Sequence, residues 1–304
     1  MNFMRNNANL HNAKSAKKDE FYTQLVDVEK ELKHYKDFFK GKKVLCNCND
    51  DKWSAFFKCF SMNFEHLGLK QLVCVSYNGN GNGKKYACNG NRMFGDLEVN
   101  VTELNGNGSY SSDECIELLK DCDVVVTNPP FSLFRDFVSL LCQYDKKFLI
   151  IGNVNAITYK EIFPLIKENK MWLGVNNGVK TYEVPANYVT KKVEEINGKH
   201  YKSLGNTCWF TNIPHNKRNQ PLDLFKKYDP AEYPKYDNCD AIECSKTANI
   251  PMDYDGVIGV PISFLDKYCP AQFEIVKFRK GDDGKDLTIN GKSPYFRVLV
   301  RKLS

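Results

Sequence analysis

DVVVTNPPFSLF, residues 123–134, carries the signal that decides the fold. Val124, Val125 and Val126 are β-branched and apolar, which favours a buried extended segment. The run stops at an asparagine and two prolines. Pro129 keeps Asn128 out of the helical region and Pro130 does the same to Pro129, so the loop is stiff. Neither proline has an N–H, and the loop therefore presents carbonyl acceptors without donors of its own. Ser132 is then placed to cap a helix with Leu133, Phe137, Leu140 and Leu141 on one face.

The same rhythm extends in both directions. FLIIGN (148–153) reads as the next strand. Upstream, Ser111 and Glu114 form a capping box for the helix DECIELLKD (113–121). From Asp27, the positions Val28, Leu32, Tyr35 and Phe38/Phe39 recur at helical spacing, and Gly41 stands where a helix stops. KKVLCNC (42–48) is a strand, Phe56, Phe57, Phe60, Phe64 and Leu67 stripe a helix ended by Gly68, and LVCVSY (72–77) is a second strand. Asn- and Gly-rich loops are expected at 78–91 and 105–108, flanking a third strand in GDLEVNVTEL (95–104). A helix around 158–168 and a strand at 171–175 continue the alternation. Repeated strand–helix–strand units predict an α/β fold with a parallel, doubly wound, Rossmann-like sheet. Ligands of such sheets bind at the carboxyl ends of the strands, where CNCND and NPPF fall.

Beyond about residue 176 the pattern changes. KTYEVP and TCWFTNI are expected to form a hairpin around the charged insert TKKVEEINGKHYKS. From 213 onwards lie most of the chain's twelve prolines and several basic clusters, which predicts a smaller, loop-rich region. The expected organisation is a main domain over 1–212 and a second region over 213–304.

In 304 residues, 43 Lys and Arg face 37 Asp and Glu, a formal charge of +6 that permits acidic partners without demanding them. The twelve cysteines sit in apolar segments such as FFKCF and SLLCQ, as reduced core thiols do, and none has zinc-like spacing, so no metal is expected. The first twenty residues lack an apolar signal core, and no run approaches the ~18–20 residues that span a bilayer. A cytoplasmic protein without membrane contact is expected.

Taken together, TNPPF, KKDEFYTQ (17–24), VLCNCNDD (44–51), the stretch 105–137 and GVPISFLDKYCPAQFEI (259–275) resemble the EcoRI-type adenine-specific DNA methyltransferases. NPPF alone is shared more widely among amino-group methyltransferases; the set is specific. The resemblance implies a Rossmann-like S-adenosylmethionine-dependent enzyme of restriction–modification systems. It would methylate adenine N6 in double-stranded DNA and carry a target-recognition region after the catalytic loop. The family often shows DDP then SNF where this chain has Asn49, Asp50, Asp51 and Ser54, Ala55, Phe56, and an acidic residue where Ser109 stands.

The chemistry of the residues agrees. An exocyclic adenine amine has its lone pair delocalised into the ring, and two neutral acceptors, the Asn128 side-chain oxygen and the Pro129 carbonyl, can draw it towards tetrahedral geometry. Pro130 stiffens the loop and Phe131 is placed to stack on an extruded base. No general base is required, because the proton becomes acidic only after attack. Cofactor candidates are Phe21 and Tyr22, whose aromatic faces suit a sulfonium, Thr23 beside them, and Cys46, Asn47, Asn49 and Asp50 after the first strand. Tyr77 and Asn78 follow the second strand, and Ser109 and Tyr110 lie in the loop GNGSYSS. Lys17, Lys18, Lys199, His215, Lys217, Arg218 and Arg279 are the candidate DNA contacts. A duplex site does not require a dimer, so a monomer suffices. Three alternatives remain open on the residues: an RNA adenine methyltransferase, a protein glutamine methyltransferase, and a non-catalytic nucleic-acid-binding Rossmann-like protein. A nicotinamide dehydrogenase is disfavoured because no G-x-G-x-x-G follows the first strand.

Overall fold

A computed structural model describes residues 23–49, 54–93, 96–184 and 193–303, and within them Val124–Thr127 is a strand with all four residues buried. The chain divides into two units, Met1–Ala156 with Gly174–Ile213, and Ile157–Leu173 with Pro214–Ser304.

In the first unit, α1 (Leu25–Leu32) runs into a tighter turn over Lys33–Phe39 and leads to β1 (Lys43–Asn49). Then follow α2 (Ala55–Met62), β2 (Gln71–Ser76), β3 (Lys84–Cys88) and β4 (Asn100–Glu103). After these come α3 (Asp113–Asp121), β5 (Val124–Thr127), α4 (Phe134–Gln143) and β6 (Lys147–Asn153). The remaining strands are β7 (Lys180–Val184), β8 (Val193–Ile196), β9 (Lys199–Leu204) and β10 (Thr207–Thr211). The unit's main sheet runs β4-β3-β2-β1-β5-β6-β10. β2, β1, β5 and β6 are parallel neighbours, whereas β3, β4 and β10 join antiparallel.

The sheet is therefore mixed rather than wholly parallel. A parallel return needs a crossover of a dozen or more residues. The short loop after β2 can only fold straight back, which makes KKYAC an antiparallel strand inside a stretch expected to be loop. The expected hairpin is also re-paired. β7 pairs with β9, the charged insert is itself the hairpin β8–β9, and TCWFT instead joins β6 in the main sheet. Asn197 and Gly198 both have positive φ at the turn, the geometry that suits a two-residue hairpin.

Two expected caps move. Ser112, not Ser111, accepts the Cys115 N–H at the start of α3, while the Glu114 carboxylate reaches back to the N–H groups of Asn105 (3.2 Å) and Gly106 (3.0 Å). Ser132 is not the cap of α4, whose N-cap position is Leu133. A tight turn over Phe131–Leu133 precedes α4, closed by the Leu133 N–H on the Pro130 carbonyl at 2.9 Å.

The strands alternate as period-2 geometry requires. Val44, Cys46, Val124, Val126, Leu149, Ile151 and Trp209 share a core with Val28, Leu32, Phe39, Phe56 and Phe60 from the helices on that side. Their neighbours Leu45, Val125, Ile150 and Phe210 are equally buried, and the Phe134 ring of α4 meets Phe210 at 4.9 Å. Both faces of the sheet are thus covered. Glu31 is a buried carboxylate in α1 that accepts from Tyr35 Oη (2.9 Å), Val175 N (2.7 Å), Asn176 N (2.7 Å) and Asn176 Nδ2 (3.0 Å). It fastens α1, and with it the segment that begins at Thr23, to the chain that follows Gly174.

The second unit holds more sheet than its proline content suggests. Its five strands, β11 (Lys235–Tyr236), β12 (Cys239–Glu243), β13 (Val257–Pro261), β14 (Phe273–Phe278) and β15 (Arg297–Lys302), run in the order β11-β12-β13-β15-β14. A short helix, α5 (Phe163–Lys167), contacts this sheet through Phe163 on Phe278 and Lys167 Nζ on the Val276 carbonyl. Arg297 meets Glu243 with side chains only 11% and 10% exposed, and the Tyr236 hydroxyl donates to the same carboxylate. A pair this buried keeps its register because either partner alone would be an uncompensated charge.

Two stability outcomes follow from these contacts. A Cβ at Gly152 of β6 would collide with the Phe134 ring, so Gly152→Ala is expected to destabilise by about 1–3 kcal/mol in denaturant titration. Glu31→Gln keeps the shape but turns one acceptor into a donor facing N–H groups. It should lower stability by about 1–3 kcal/mol in the same assay.

Candidate active site

β1 and β5 lie side by side, with Val44 opposite Val124 and Leu45 opposite Val125. Their carboxyl ends therefore bring the CNCN and NPPF segments together. The Thr127 hydroxyl donates to the Asn47 carbonyl and ties the two tips. Asn47 is buried, and Cys48 turns through the left-handed region at φ 61°, a conformation side-chain-bearing residues seldom adopt. Cys46 belongs to the core, and burial pushes both the Cys46 and the Cys48 thiols up, so neither is a thiolate at neutral pH.

Asn128 is half-buried. Its Nδ2 donates to Thr23 Oγ1 at 3.2 Å, which fixes the amide plane and puts Oδ1, itself sheltered from solvent, on the opposite side. Pro129 is buried, whereas Pro130 and Phe131 are half-buried, and Phe131 rests against the aromatic core.

The β2 tip and its loops stand next to these. Asn49 closes β1 opposite Ser76. Gly108, at φ 76°, presses so closely on the Ser76 carbonyl that a Cβ there would collide with it. Asn78 is engaged within the loop: its N–H donates to the Asn107 carbonyl (2.8 Å), its Nδ2 to the Asn82 carbonyl (3.3 Å), and its Oδ1 accepts from Asn80 N (3.1 Å). Tyr77 is exposed. Ser109 N donates to Asn107 Oδ1 (3.0 Å) and its hydroxyl shares a hydrogen bond with Ser111 (3.2 Å). Tyr110 packs edge-on to Phe137 of α4 at 5.1 Å. Burial first, then Asp136 and Cys48, push its phenol up to about 12, which also places it in the electrostatic neighbourhood of the β1 tip.

Thr23, Cys46, Asn47, Tyr77, Asn78, Ser109, Tyr110 and Asn128–Phe131 thus belong to adjoining tips and loops of one sheet. Phe21, Tyr22 and Asp50, with Lys17 and Lys18, lie outside the described residues. Sequence reasoning missed Thr127 and Cys48. A hydroxyl residue ending a valine run is the only local signal for the first, and nothing in a cysteine announces the left-handed backbone of the second.

The remaining basic candidates have specific partners. Lys199 pairs with Glu183 at 2.8 Å, and Lys217 with Asp266 at 2.7 Å. His215 is buried and donates from Nε2 to the Leu173 carbonyl at 2.9 Å. Arg218 donates to Asn169 Oδ1 at 2.6 Å and stacks over Trp172 at 4.1 Å, and its burial lowers its pKa. Arg279 pairs with Asp286 and lies over Phe296 at 4.6 Å. With Asp286, Tyr295, Phe296 and Arg297 it lines a cavity of about 360 Å³ within the second unit, which contains none of the strand-tip residues. Among the described residues, no group of three or more His, Cys, Asp or Glu is gathered as a metal site, and no helix is long and apolar enough to cross a membrane.

Comparison with known proteins gives the family. A family model described as adenine-specific methyltransferase EcoRI matches residues 9–303. The type II methyltransferase M.EcoRI of Escherichia coli is 49% identical over 312 residues, covering 96% of this chain and 95% of that protein. M.MgeORF184P of Mycoplasma genitalium is 40% identical and M.MpnI of Mycoplasma pneumoniae 38%, each across 95% of this chain and 97% of its own length. No solved structure matches. At this coverage and identity, the chain belongs to the EcoRI-type family of adenine-specific DNA methyltransferases.

Proposed function

We propose that this methyltransferase acts on N6 of an adenine extruded from double-stranded DNA, with S-adenosylmethionine as methyl donor, as the modification enzyme of a type II restriction–modification system. The observation that carries the proposal is the orientation of Asn128. With Nδ2 held by Thr23, the amide offers its oxygen, not its nitrogen, to the other side. An amide turned the other way would repel an amine.

Asn128 Oδ1 and the Pro129 carbonyl each accept one N6–H. Two neutral acceptors draw the nitrogen out of conjugation, while the proline-stiffened loop keeps it in near-attack geometry without reorganisation. The base must leave the stack, at a cost of a few kcal/mol, and stacking on Phe131 offsets part of that. Pro130 holds the turn by giving its carbonyl to Leu133. The proton departs only after the nitrogen has become cationic, so the site needs no resident base.

The residues at the neighbouring tips fit the donor. S-adenosylmethionine carries no phosphate, and the tips offer amide and hydroxyl groups in place of a glycine-rich phosphate cradle. Asn47, the Cys48 backbone, Ser109 and Tyr110 would hold it, with Tyr77 and Asn78 at the margin. When bound, it supplies an electrophilic sulfonium methyl. Tyr110 stays neutral through the working pH range, and its ring face suits the adjacent positive charge. The basic residues of 199–279 and the N-terminal lysines are proposed to contact phosphates. Most exchange an intramolecular partner to do so.

The test is methyl transfer from radiolabelled S-adenosylmethionine to genomic DNA, with tRNA and a release-factor-like protein as competing acceptors. Label should enter duplex DNA as N6-methyladenine in one sequence context; label in RNA or protein instead overturns the proposal. Asn128→Ala should fold normally, bind the donor in calorimetry and lose about 100-fold or more in kcat. Thr23→Val, which leaves the amide free to rotate, should lose about 10-fold in kcat with KM for the donor little changed. Because burial holds Cys48 and Tyr110 protonated, neither should contribute an inflection to kcat between about pH 7 and 9.

A further inference from the structure

The second unit carries an aromatic side chain that packing does not explain. Phe225 is 79% exposed, although phenylalanine gains more from burial than almost any other residue. A single exposed apolar side chain is ordinary on a protein surface. This one differs in its mounting and its neighbours.

The backbone around it is fastened on both sides. Leu222 N donates to Gln272 Oε1 at 2.7 Å, and Gln272 Nε2 returns to the Leu222 carbonyl at 2.8 Å. After the phenylalanine, Lys226 bridges to Pro251, its carbonyl accepts Met252 N at 2.8 Å, and Tyr228 N donates to Asp253 Oδ1 at 2.7 Å. Tyr228 then packs tilted against Tyr254, with ring centroids 4.6 Å apart. The segment is held at each end while its middle side chain projects into solvent.

Two exposed lysines lie directly beside it. Lys226 and Lys227 are exposed, and among the described residues neither has a carboxylate within ion-pair distance; of the unit's exposed lysines in that state they are the two adjoining Phe225. The nearby acids do not neutralise them. Asp229 accepts from Ala231 N at 2.9 Å, Asp253 accepts from Tyr228 N, and the exposed Asp223 lies beyond ion-pair distance of both lysines. A held aromatic flanked by two available cations suits a duplex, in which stacked apolar planes lie between rows of phosphate.

We propose that Phe225 is a wedge that inserts between two base pairs of the bound DNA duplex, with Lys226 and Lys227 on the flanking phosphates. Apolar side chains used in this way unstack a base step and bend the helix, and the lysines supply the salt-dependent part of the hold. The inference rests on duplex DNA being the substrate, as proposed above.

The test uses the full-length protein and a duplex carrying the methylated context, after wild-type enzyme has been shown to methylate it. 2-Aminopurine is placed at successive positions, and bending is read by energy transfer between end labels. Wild type should give an unstacking signal at a step apart from the target adenine. Phe225→Ala should lose that signal, reduce the bend and weaken binding by about 10- to 100-fold, and Phe225→Trp should restore them. The double variant Lys226→Gln, Lys227→Gln should keep the unstacking signal while the slope of log K against log salt falls by about two units. If Phe225→Ala binds, bends and unstacks the duplex as wild type does, the wedge is wrong. If wild type does not methylate the duplex at all, the substrate assignment is what has failed.

Discussion

The bond from the Thr127 hydroxyl to the Asn47 carbonyl holds two parallel strand tips in register at the point where both become loop. On one side of it the chain turns through a left-handed cysteine, and on the other it enters two prolines. Neither loop can relax independently of the other. Orientation of the Asn128 amide depends on this clamp and on Thr23, which arrives at the start of α1. That helix is in turn fastened by the buried Glu31 carboxylate to the chain after Gly174. Placement of one amide thus draws on three separate parts of the first unit.

Much of the central sheet was legible because its strands are buried on both faces and read as near-continuous apolar runs. VLC, VVV and FLII sit within β1, β5 and β6. The antiparallel additions were not legible in the same way. KKYAC is flanked by asparagines and glycines that signal a loop, and its pairing follows from the brevity of the connection after β2, not from its own residues. TCWFT was recognised as a strand but assigned the wrong neighbour. Nothing in TCWFT itself distinguishes a partner in β7 from one in β6, since both offer apolar positions to pair against.

The candidate site divides along the same line. NPPF is a local signal, because prolines constrain backbone wherever they occur, and the residues that surround it were found through strand ends. Thr127, whose hydroxyl crosses to another strand, has meaning only after the strands are paired. The basic residues illustrate the converse. HNKR and VKFRK look like free charge in a sequence, yet His215 is buried, Arg218 stacks on Trp172 and Arg279 pairs with Asp286. A count of cations does not show which of them already have anionic or aromatic partners.

The margin of the main sheet at β4 has a consequence beyond catalysis. That strand is four residues long, Asn100–Glu103, and every one of them is exposed. Peptide groups along such a rim can template the strand of a neighbouring molecule, the first step of fibrillar accretion. Brevity gives an intruder too few rungs to climb, and the carboxylate of Glu103 makes the approach unwelcoming. A sheet can in this way leave one flank open to water without becoming sticky.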